Sequence, residues 1–289
     1  MKLLLNRNQR RSIGAFTLIE LLVVLVIIAA LAALIVPNIG MFGRSADMAV
    51  SAKTQADLAQ QVQLFFVTQK RYPQGLDSLI TSGGTPAIYA ADSTSGDTQT
   101  IGLPISGADG VKLQEVLRVT ALSGEELRSL TRAGFDWVWD HDNAELNSNT
   151  SNTSFRALVD NIVSPGIPGT ATAPTKNVAE LSDATGAVTT PAAATKLIRK
   201  LVPQGLKSNE KIVAFGFGQK NSALGKTTTT VPLYPGADKT YYGRYILYFK
   251  IYASGERATL VGVSDSYGRT PDYTQQQFNE SMPDGARQG

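Results

Sequence analysis

The chain is poor in the side chains that most enzymes use for covalent and metal chemistry. Its 289 residues include no cysteine and one histidine. Without cysteine the protein can form no disulfide and offers no thiolate as a nucleophile or as a soft metal ligand. A single imidazole also falls short of the several convergent ligands that a transition-metal site needs. These absences disfavour most hydrolase designs and zinc sites, and we interpret the chain as non-enzymatic.

Two local patterns mimic functional sites but are better explained by structure. His141 lies between Asp140 and Asp142, and one imidazole between carboxylates is more typical of a solvated turn than of a metal site. The Phe-Gly-Phe-Gly segment at 215–218 lacks the later glycine and the strand-to-helix context of a nucleotide-binding loop. We therefore predict no metal site at His141, and close packing or a bend at the two glycines.

The chain also has little net charge once its N-terminus is set aside. The formal net charge is +3 and the isoelectric point is about 9.0. Four of the 27 Lys and Arg residues precede the first apolar run: Lys2, Arg7, Arg10 and Arg11. Without these four, 23 basic residues stand against 24 Asp and Glu. Nucleic-acid binding normally needs a clustered basic patch. No nucleic-acid partner is therefore expected.

A long uncharged segment follows this basic N-terminus. Residues 21–43 contain no charged side chain, and a helix of about 20 mostly apolar residues is long enough to span the hydrocarbon core of a membrane. The apolar part of a cleaved secretory signal is only about 7–15 residues long. We therefore predict one transmembrane helix. The positive-inside rule predicts a cytoplasmic N-terminus, with the rest of the chain facing outward.

Glu20 is the anomaly of this segment, because it places a carboxylate where the apolar run begins. A charge near the centre of a bilayer costs at least about 2.5 kcal/mol. The side chain is therefore expected to lie in the membrane interface or to pair with a cation. A plain signal-anchor, with Glu20 among the lipid head groups, is the simpler alternative.

The residues around Glu20 resemble the N-terminal signature of the type IV pilin superfamily, which includes pilins, minor pilins and the pseudopilins of type II secretion. The chain shares with that signature the basic leader, a small residue before Phe16, the Phe-Thr-Leu-Ile-Glu block, the long apolar run and Pro37. The resemblance implies that a prepilin peptidase cuts between Ala15 and Phe16 and methylates the new Phe16 amine. Since the family usually has glycine before the cut, cleavage after Gly14 is the alternative.

In the family this cleavage leads to filament assembly. The new α-amino group, whose unperturbed pKa is near 8, is largely cationic and can pair with a carboxylate such as Glu20 in a low dielectric. In the family that pairing helps to recruit each new subunit. The resemblance thus implies as partners other pilin or pseudopilin subunits, prepilin peptidase, an assembly ATPase, a polytopic membrane platform and inner-membrane lipid. The protein would be a single-pass inner-membrane protein with a periplasmic head.

The resemblance and the residue pattern together predict an α+β fold, with a long N-terminal helix packed against a C-terminal antiparallel β-sheet. The predicted parts are a leader (1–15), a transmembrane and assembly helix (16–43) and a periplasmic head (44–289) with a loop-rich insertion at about 147–195. Pro37 would kink the helix or break it. Tyr72-Pro73 would end it. Between them, small and apolar residues recur at helical spacing: Ala52, Ala56, Ala59, Val62 and Phe66.

Local signals predict the elements of the head. Ser123 and Glu126 form a capping box, which predicts a helix over about 124–133 closed by Gly134. Alternating aromatic and apolar residues predict strands, and Pro191 predicts the start of a helix. The predicted strands are 135–139, 212–215, 241–253 and 259–263, the last two as a hairpin, and the helix is 191–201.

We predict a structural subunit of a type II secretion pseudopilus or a type IV pilus, and the resemblance of Tyr72-Pro73 and the leucines after it favours a pseudopilin. The alternative is a membrane-anchored binding protein whose tyrosine-rich sheet contacts carbohydrate, a surface or DNA. Strand spacing alone also accounts for these tyrosines as core or subunit contacts. They are Tyr241, Tyr242, Tyr245, Tyr248 and Tyr252.

Calcium is the cofactor that the resemblance suggests. Some major pseudopilins bind it in a C-terminal loop, and Asp265 and Asp272 are the candidate ligands here. The family's surrounding pattern is missing, and calcium needs about 6–8 oxygen ligands. The alternative for this segment is an Asp-Ser turn. No other cofactor is expected.

Overall fold

The structure is a computed structural model, and it describes residues 17–79, 116–139, 155–157, 171–172, 177–182, 192–235 and 242–272. Three predicted processing residues, Gly14, Ala15 and Phe16, lie outside these ranges, as does His141. The chain divides into two compact units, Met1–Arg44 and Ser45–Gly289.

Helix α1, Leu18–Gln69, begins in the first unit and ends in the second. Its backbone is helical at Pro37, so the outright break does not occur, whereas a bend at this residue stays a prediction. In the first unit, the side chains of residues 18–33 are all exposed. Within the described part of the chain, no helix combines the length and the apolar character that crossing a membrane demands.

In the second unit, α1 buries one face in the head. Its fully buried residues recur at three- and four-residue steps: Ser51, Gln55, Leu58, Val62 and Phe65. This face is rotated from the predicted one, since Ala56 is exposed and Phe66 is only half-buried. The large side chains of Leu58 and Phe65 remove more apolar area from water than alanines do, and that difference decides which side of the helix faces inward.

The described residues of the head also form two β-sheets. The strands of the larger sheet are β1 Leu117–Ala121, β5 Asn177–Leu181, β6 Glu210–Gly216, β7 Ile246–Tyr252 and β8 Thr259–Ser264. They pair antiparallel in the order β1-β5-β6-β7-β8. A smaller sheet joins β2 Trp137–Trp139, β3 Phe155–Ala157 and β4 Ala171–Thr172. The predicted α+β class is confirmed.

Helices cover the larger sheet on both faces. Helix α2, Gly124–Ala133, packs on the same face as α1, and helix α3, Ala192–Leu201, packs on the opposite face. The head therefore has two apolar cores: the first lies between the larger sheet and helices α1 and α2, and the second lies between the sheet and α3. Along β6, Val213 and Phe215 belong to the first core, whereas Ile212 and Ala214 belong to the second. A fully buried large apolar side chain contributes about 1.5–3 kcal/mol. The second core, which was not predicted, is therefore a substantial part of the head's stability.

Predictions that rested on local signals agree with the structure. The Ser123 hydroxyl accepts a hydrogen bond from the Glu126 N–H at 3.3 Å, and Glu126 Oε2 accepts one from the Ser123 N–H at 2.8 Å. Gly134 closes α2 with a left-handed φ of 98°. The end of α1, helix α3 and strand β6 also lie close to where they were predicted. The predicted β7–β8 hairpin forms, but β7 begins at Ile246 rather than at residue 241.

Two predictions need correction. Strand β2 begins at Trp137 rather than at residue 135, because the Phe135 N–H donates to the Leu130 carbonyl at 3.1 Å and completes the end of α2. The predicted loop-rich insertion at about 147–195 contains β5, an inner strand of the larger sheet with Val178 and Ala179 buried. Residues 147–154, 158–170, 173–176 and 183–191 lie outside the described ranges.

Candidate functional site

The start of α1 carries a reciprocal capping arrangement. The Thr17 N–H and the Thr17 hydroxyl both donate to Glu20 Oε2 at 2.9 Å, and the Glu20 N–H donates to Thr17 Oγ1 at 3.3 Å. Thr17 is therefore the N-cap and Glu20 the third helical residue of a capping box. The first helical bond runs from the Leu21 N–H to the Thr17 carbonyl at 3.2 Å.

This arrangement fixes the orientation of the Glu20 carboxylate. The positive end of the helix dipole favours an anion at the same place. Both bonds from Thr17 end on Oε2, and a carboxylate has about four acceptor sites in total, so Glu20 keeps acceptor capacity for a cation. The sequence interpretation missed this box, although its spacing is the one recognised at Ser123 and Glu126.

The helix on both sides of Glu20 is apolar all the way round, apart from Glu20 itself. Its large apolar side chains are 49–84% exposed, and a helix of this kind is normally covered by lipid or by other protein. The site therefore joins an oriented carboxylate to an exposed apolar helix surface. The exposed residues are Leu18, Ile19, Leu21, Leu22, Val23, Val24, Leu25, Val26, Ile27, Ile28 and Leu31.

A second polar cluster lies in the head, where the chain leaves α1. Asp77 is buried, and its Oδ2 accepts hydrogen bonds from the Tyr242 hydroxyl at 2.6 Å and from Arg244 Nη1 at 3.2 Å. Burial raises the pKa of Tyr242 well above its usual value, and the negative charge of Asp77 raises it further. The Tyr242 hydroxyl therefore stays protonated and acts as a hydrogen-bond donor.

Backbone bonds make this cluster the link between the two sheets. The Asp77 N–H donates to the Gly216 carbonyl, and the Gly216 N–H donates to the Asp77 carbonyl, both at 2.9 Å. The next residue, Ser78, donates its N–H to the Trp139 carbonyl at 2.7 Å. A Cβ at Gly216 would overlap the Tyr242 hydroxyl, and one at Gly218 would overlap the Asp77 carboxylate. The predicted close packing at the two glycines is confirmed. The Asp77 cluster is therefore part of the packing that connects the two sheets.

The two calcium candidates lie in different surroundings. Asp265 is fully buried, and its carboxylate accepts hydrogen bonds from Tyr267 and Arg269. Asp272 is exposed and is the last residue described. Among the described residues, no group of three or more His, Asp or Glu side chains is placed to hold a metal ion.

Most of the tyrosines in the predicted binding face point into the protein. Tyr242, Tyr245 and Tyr248 are at most 1% exposed. Tyr252 is partly exposed, and Tyr241 lies outside the described residues. The core interpretation is therefore confirmed for the three buried tyrosines, and their rings are not accessible to carbohydrate or DNA.

The N-terminal site has a counterpart among known protein families. Residues 10–36 match the family model described as the prokaryotic N-terminal methylation motif. This range contains the predicted cleavage region, the capping box at Thr17 and Glu20, and most of the apolar run. The fold and the site resemble those of pilin-like proteins that carry this N-terminal motif.

Two curated proteins of the same name are similar in sequence to part of this chain. The chain is 36% identical over 87 residues to type II secretion system core protein G of Aeromonas hydrophila, a match that covers 28% of this chain and 61% of the relative. It is 37% identical over 81 residues to the protein of the same name from Dickeya chrysanthemi, covering 27% of this chain and 52% of the relative. The matches thus span about half to three-fifths of the relatives' length. No solved structure matches the chain. The predicted resemblance to the pilin and pseudopilin superfamily is confirmed.

Proposed function

We propose that the protein is a structural subunit of a type II secretion pseudopilus, anchored in the inner membrane by the first part of α1 and polymerised through it. The observation that carries the proposal is the exposed apolar surface of α1, which begins at the oriented carboxylate of Glu20. The likeness to type II secretion system core protein G favours the pseudopilus over the type IV pilus.

In this proposal, prepilin peptidase removes residues 1–15 and methylates the amine of Phe16. Thr17 holds the Glu20 carboxylate in place, and the cationic amine of a neighbouring subunit pairs with it in a medium of low dielectric. Packing between helices then replaces the contact of α1 with lipid. Small residues allow the close approach of helices that such packing requires; they are Ala29, Ala30, Ala32 and Ala33.

The proposed topology is a single pass, with the N-terminus in the cytoplasm and residues 44–289 in the periplasm. The four basic residues before the apolar run support this orientation. The proposed partners are other subunits, prepilin peptidase, an assembly ATPase, a membrane platform and membrane lipid. The proposed role is non-catalytic. The alternative of a binding protein with a tyrosine-rich face is not retained, because three of its tyrosines are buried.

Mass spectrometry of the protein extracted from its native membrane tests the processing step. We expect residues 1–15 to be absent and Phe16 to carry one methyl group. An N-terminal alanine would instead place the cut after Gly14. An intact leader would contradict the proposal, because Glu20 would then be a charge in a plain signal-anchor.

Two substitutions separate the charge of Glu20 from its capping role. Glu20→Gln keeps an acceptor that can cap the helix but removes the negative charge, so we expect membrane insertion to be normal and incorporation into filaments to fall at least about tenfold. Thr17→Val removes the hydroxyl but keeps the backbone N–H, so we expect the loss of incorporation to stay within about threefold. Sheared filament fractions measure incorporation.

Glu125→Gln is the matched control, because Glu125 is an exposed carboxylate of the head that pairs only with Arg128 of its own helix at 2.7 Å among the described contacts. We expect it to assemble normally. Normal incorporation of Glu20→Gln would contradict the proposed pairing with an amine. A Thr17→Val defect as severe as that of Glu20→Gln would show that capping, not charge, is what assembly requires.

A further inference from the structure

The loop that follows β8 is closed on itself between Asp265 and Arg269. The Asp265 N–H donates to the Arg269 carbonyl, and the Gly268 N–H donates to the Asp265 carbonyl, both at 3.1 Å. Gly268 has a φ of 78°, a conformation that glycine adopts far more readily than other residues. Asp265, the first residue of this loop, is also one of the predicted calcium ligands.

The Asp265 carboxylate is fully buried, and groups of its own loop occupy three of its about four acceptor sites. Its Oδ1 accepts from the N–H groups of Tyr267 at 3.0 Å and of Arg269 at 2.9 Å, and its Oδ2 accepts from Arg269 Nε at 2.7 Å. A buried carboxylate without partners is strongly unfavourable, whereas charge-assisted bonds of this length are among the strongest in proteins. Arg269 therefore compensates the charge that this loop buries.

The Arg269 guanidinium also lies against two aromatic rings. Its Cζ is 4.8 Å from the centre of the Tyr234 ring and 4.7 Å from that of Tyr267, within the distance of about 6 Å at which a cation is attracted to a ring face. Its side chain is only 13% exposed. Tyr234 belongs to a different loop, which is tied to Gly243 by an N–H to carbonyl bond of 2.8 Å. Arg269 thus joins two loops of the head.

A calcium ion does not fit this arrangement. Calcium takes about 6–8 oxygen ligands at about 2.3–2.6 Å, but both oxygens of Asp265 face N–H donors, and the nearest charged group is itself a cation. From this geometry we infer that Arg269 is the built-in cation of the loop, in the place of a calcium ion, and that the loop keeps its conformation without a divalent metal. This inference is independent of the proposed assembly into filaments.

Hydrogen exchange of the full-length chain in detergent, followed by mass spectrometry of peptides that cover residues 264–270, tests the inference. The exchange is compared in excess EDTA and in about 10 mM calcium, well above the dissociation constants of about 10⁻⁴–10⁻³ M of extracellular calcium modules. We expect the same protection in both media. A rise in protection with calcium would overturn the inference, because it would show that the loop binds the ion.

Substitutions of Arg269 complete the test. Arg269→Gln is expected to speed exchange of the 264–270 peptides at least about tenfold in both media, while the peptides of β6 and β7 stay protected. Arg269→Lys keeps the charge without the planar fork, so its effect on exchange should be smaller. If Arg269→Gln loses protection throughout the chain, the exchange of Arg269→Lys is used as the test instead. Arg257→Gln is the control, because that guanidinium lies 5.5 Å from the centre of the Phe66 ring and not in this loop. Unchanged exchange in both Arg269 variants would refute the inference.

Discussion

Replacing Tyr242 by phenylalanine tests whether the buried cluster at Asp77 holds the two sheets of the head together. The substitution removes one hydroxyl and leaves the ring in place. Tyr242 is 1% exposed, and its hydroxyl donates to Asp77 Oδ2 at 2.6 Å. Asp77 in turn exchanges backbone bonds with Gly216 of β6 and forms a bridge with Trp139 of β2.

The expected cost follows from the type of bond that is lost. A hydrogen bond to a charged group contributes about 1.5–3 kcal/mol, and a buried acceptor that loses its donor cannot turn to water instead. Asp77 keeps its ion pair with Arg244 at 3.2 Å, so the carboxylate is not left without a cation. We therefore expect Tyr242→Phe to lower the free energy of unfolding by about 2 kcal/mol.

Denaturant unfolding followed by tryptophan fluorescence suits this prediction, because the two tryptophans of the chain both lie in β2, next to the cluster. Tyr252→Phe on β7 is the matched control. Its hydroxyl is 3.5 Å from that of Thr259 in an exposed contact, so the change should stay within about 0.5 kcal/mol. A loss of less than about 0.5 kcal/mol for Tyr242→Phe, with the slope of the transition unchanged, would refute the reasoning.

Two more predictions concern the packing and the charges of the head. Gly218→Ala should lower the free energy of unfolding by about 1–3 kcal/mol, because the new methyl group would overlap the Asp77 carboxylate. Gly124 has open space around it, so Gly124→Ala should raise the free energy of unfolding by about 0.4–1 kcal/mol. Equal effects of the two substitutions in denaturant unfolding would contradict this prediction. Burial raises the pKa of Glu126, but the bonds from Ser123 and Lys211 outweigh it and hold that pKa below its usual value. Glu126 therefore contributes stability above its unfolded pKa of about 4.3, and this contribution should be lost as the pH falls through the lower folded value; an acid unfolding profile that Glu126→Gln leaves unchanged would contradict it.

Elements whose signals are contained in a few neighbouring residues could be predicted from the sequence. The capping box of Ser123 and Glu126 and the left-handed Gly134 together determine where α2 begins and ends. Tyr72-Pro73 likewise limits α1, since the residue before a proline avoids the helical conformation. In each case the interactions that stabilise the boundary lie within one turn of it.

The second face of the larger sheet could not be predicted, because it depends on partners that are far apart in the sequence. Strand β5 is short, and its flanking residues are mostly small and polar, so nothing local separates it from a loop. Its place is decided by pairing with β1 on one side and with β6 on the other. Helix α3 was expected, but its packing against Ile212 and Ala214 follows only once the sheet exists.

The sequence interpretation of the sites was incomplete where one side chain was assigned a single role. Asp265 was considered only as a metal ligand or a turn residue, although Arg269 lies four positions later and is within reach of it. Glu20 was considered for its charge, although Thr17 precedes it at the spacing of a capping box. Because the same carboxylate both begins the helix and carries the charge, a substitution by alanine removes the two functions together. Only a side chain that keeps the acceptor and loses the charge can tell which of them assembly needs.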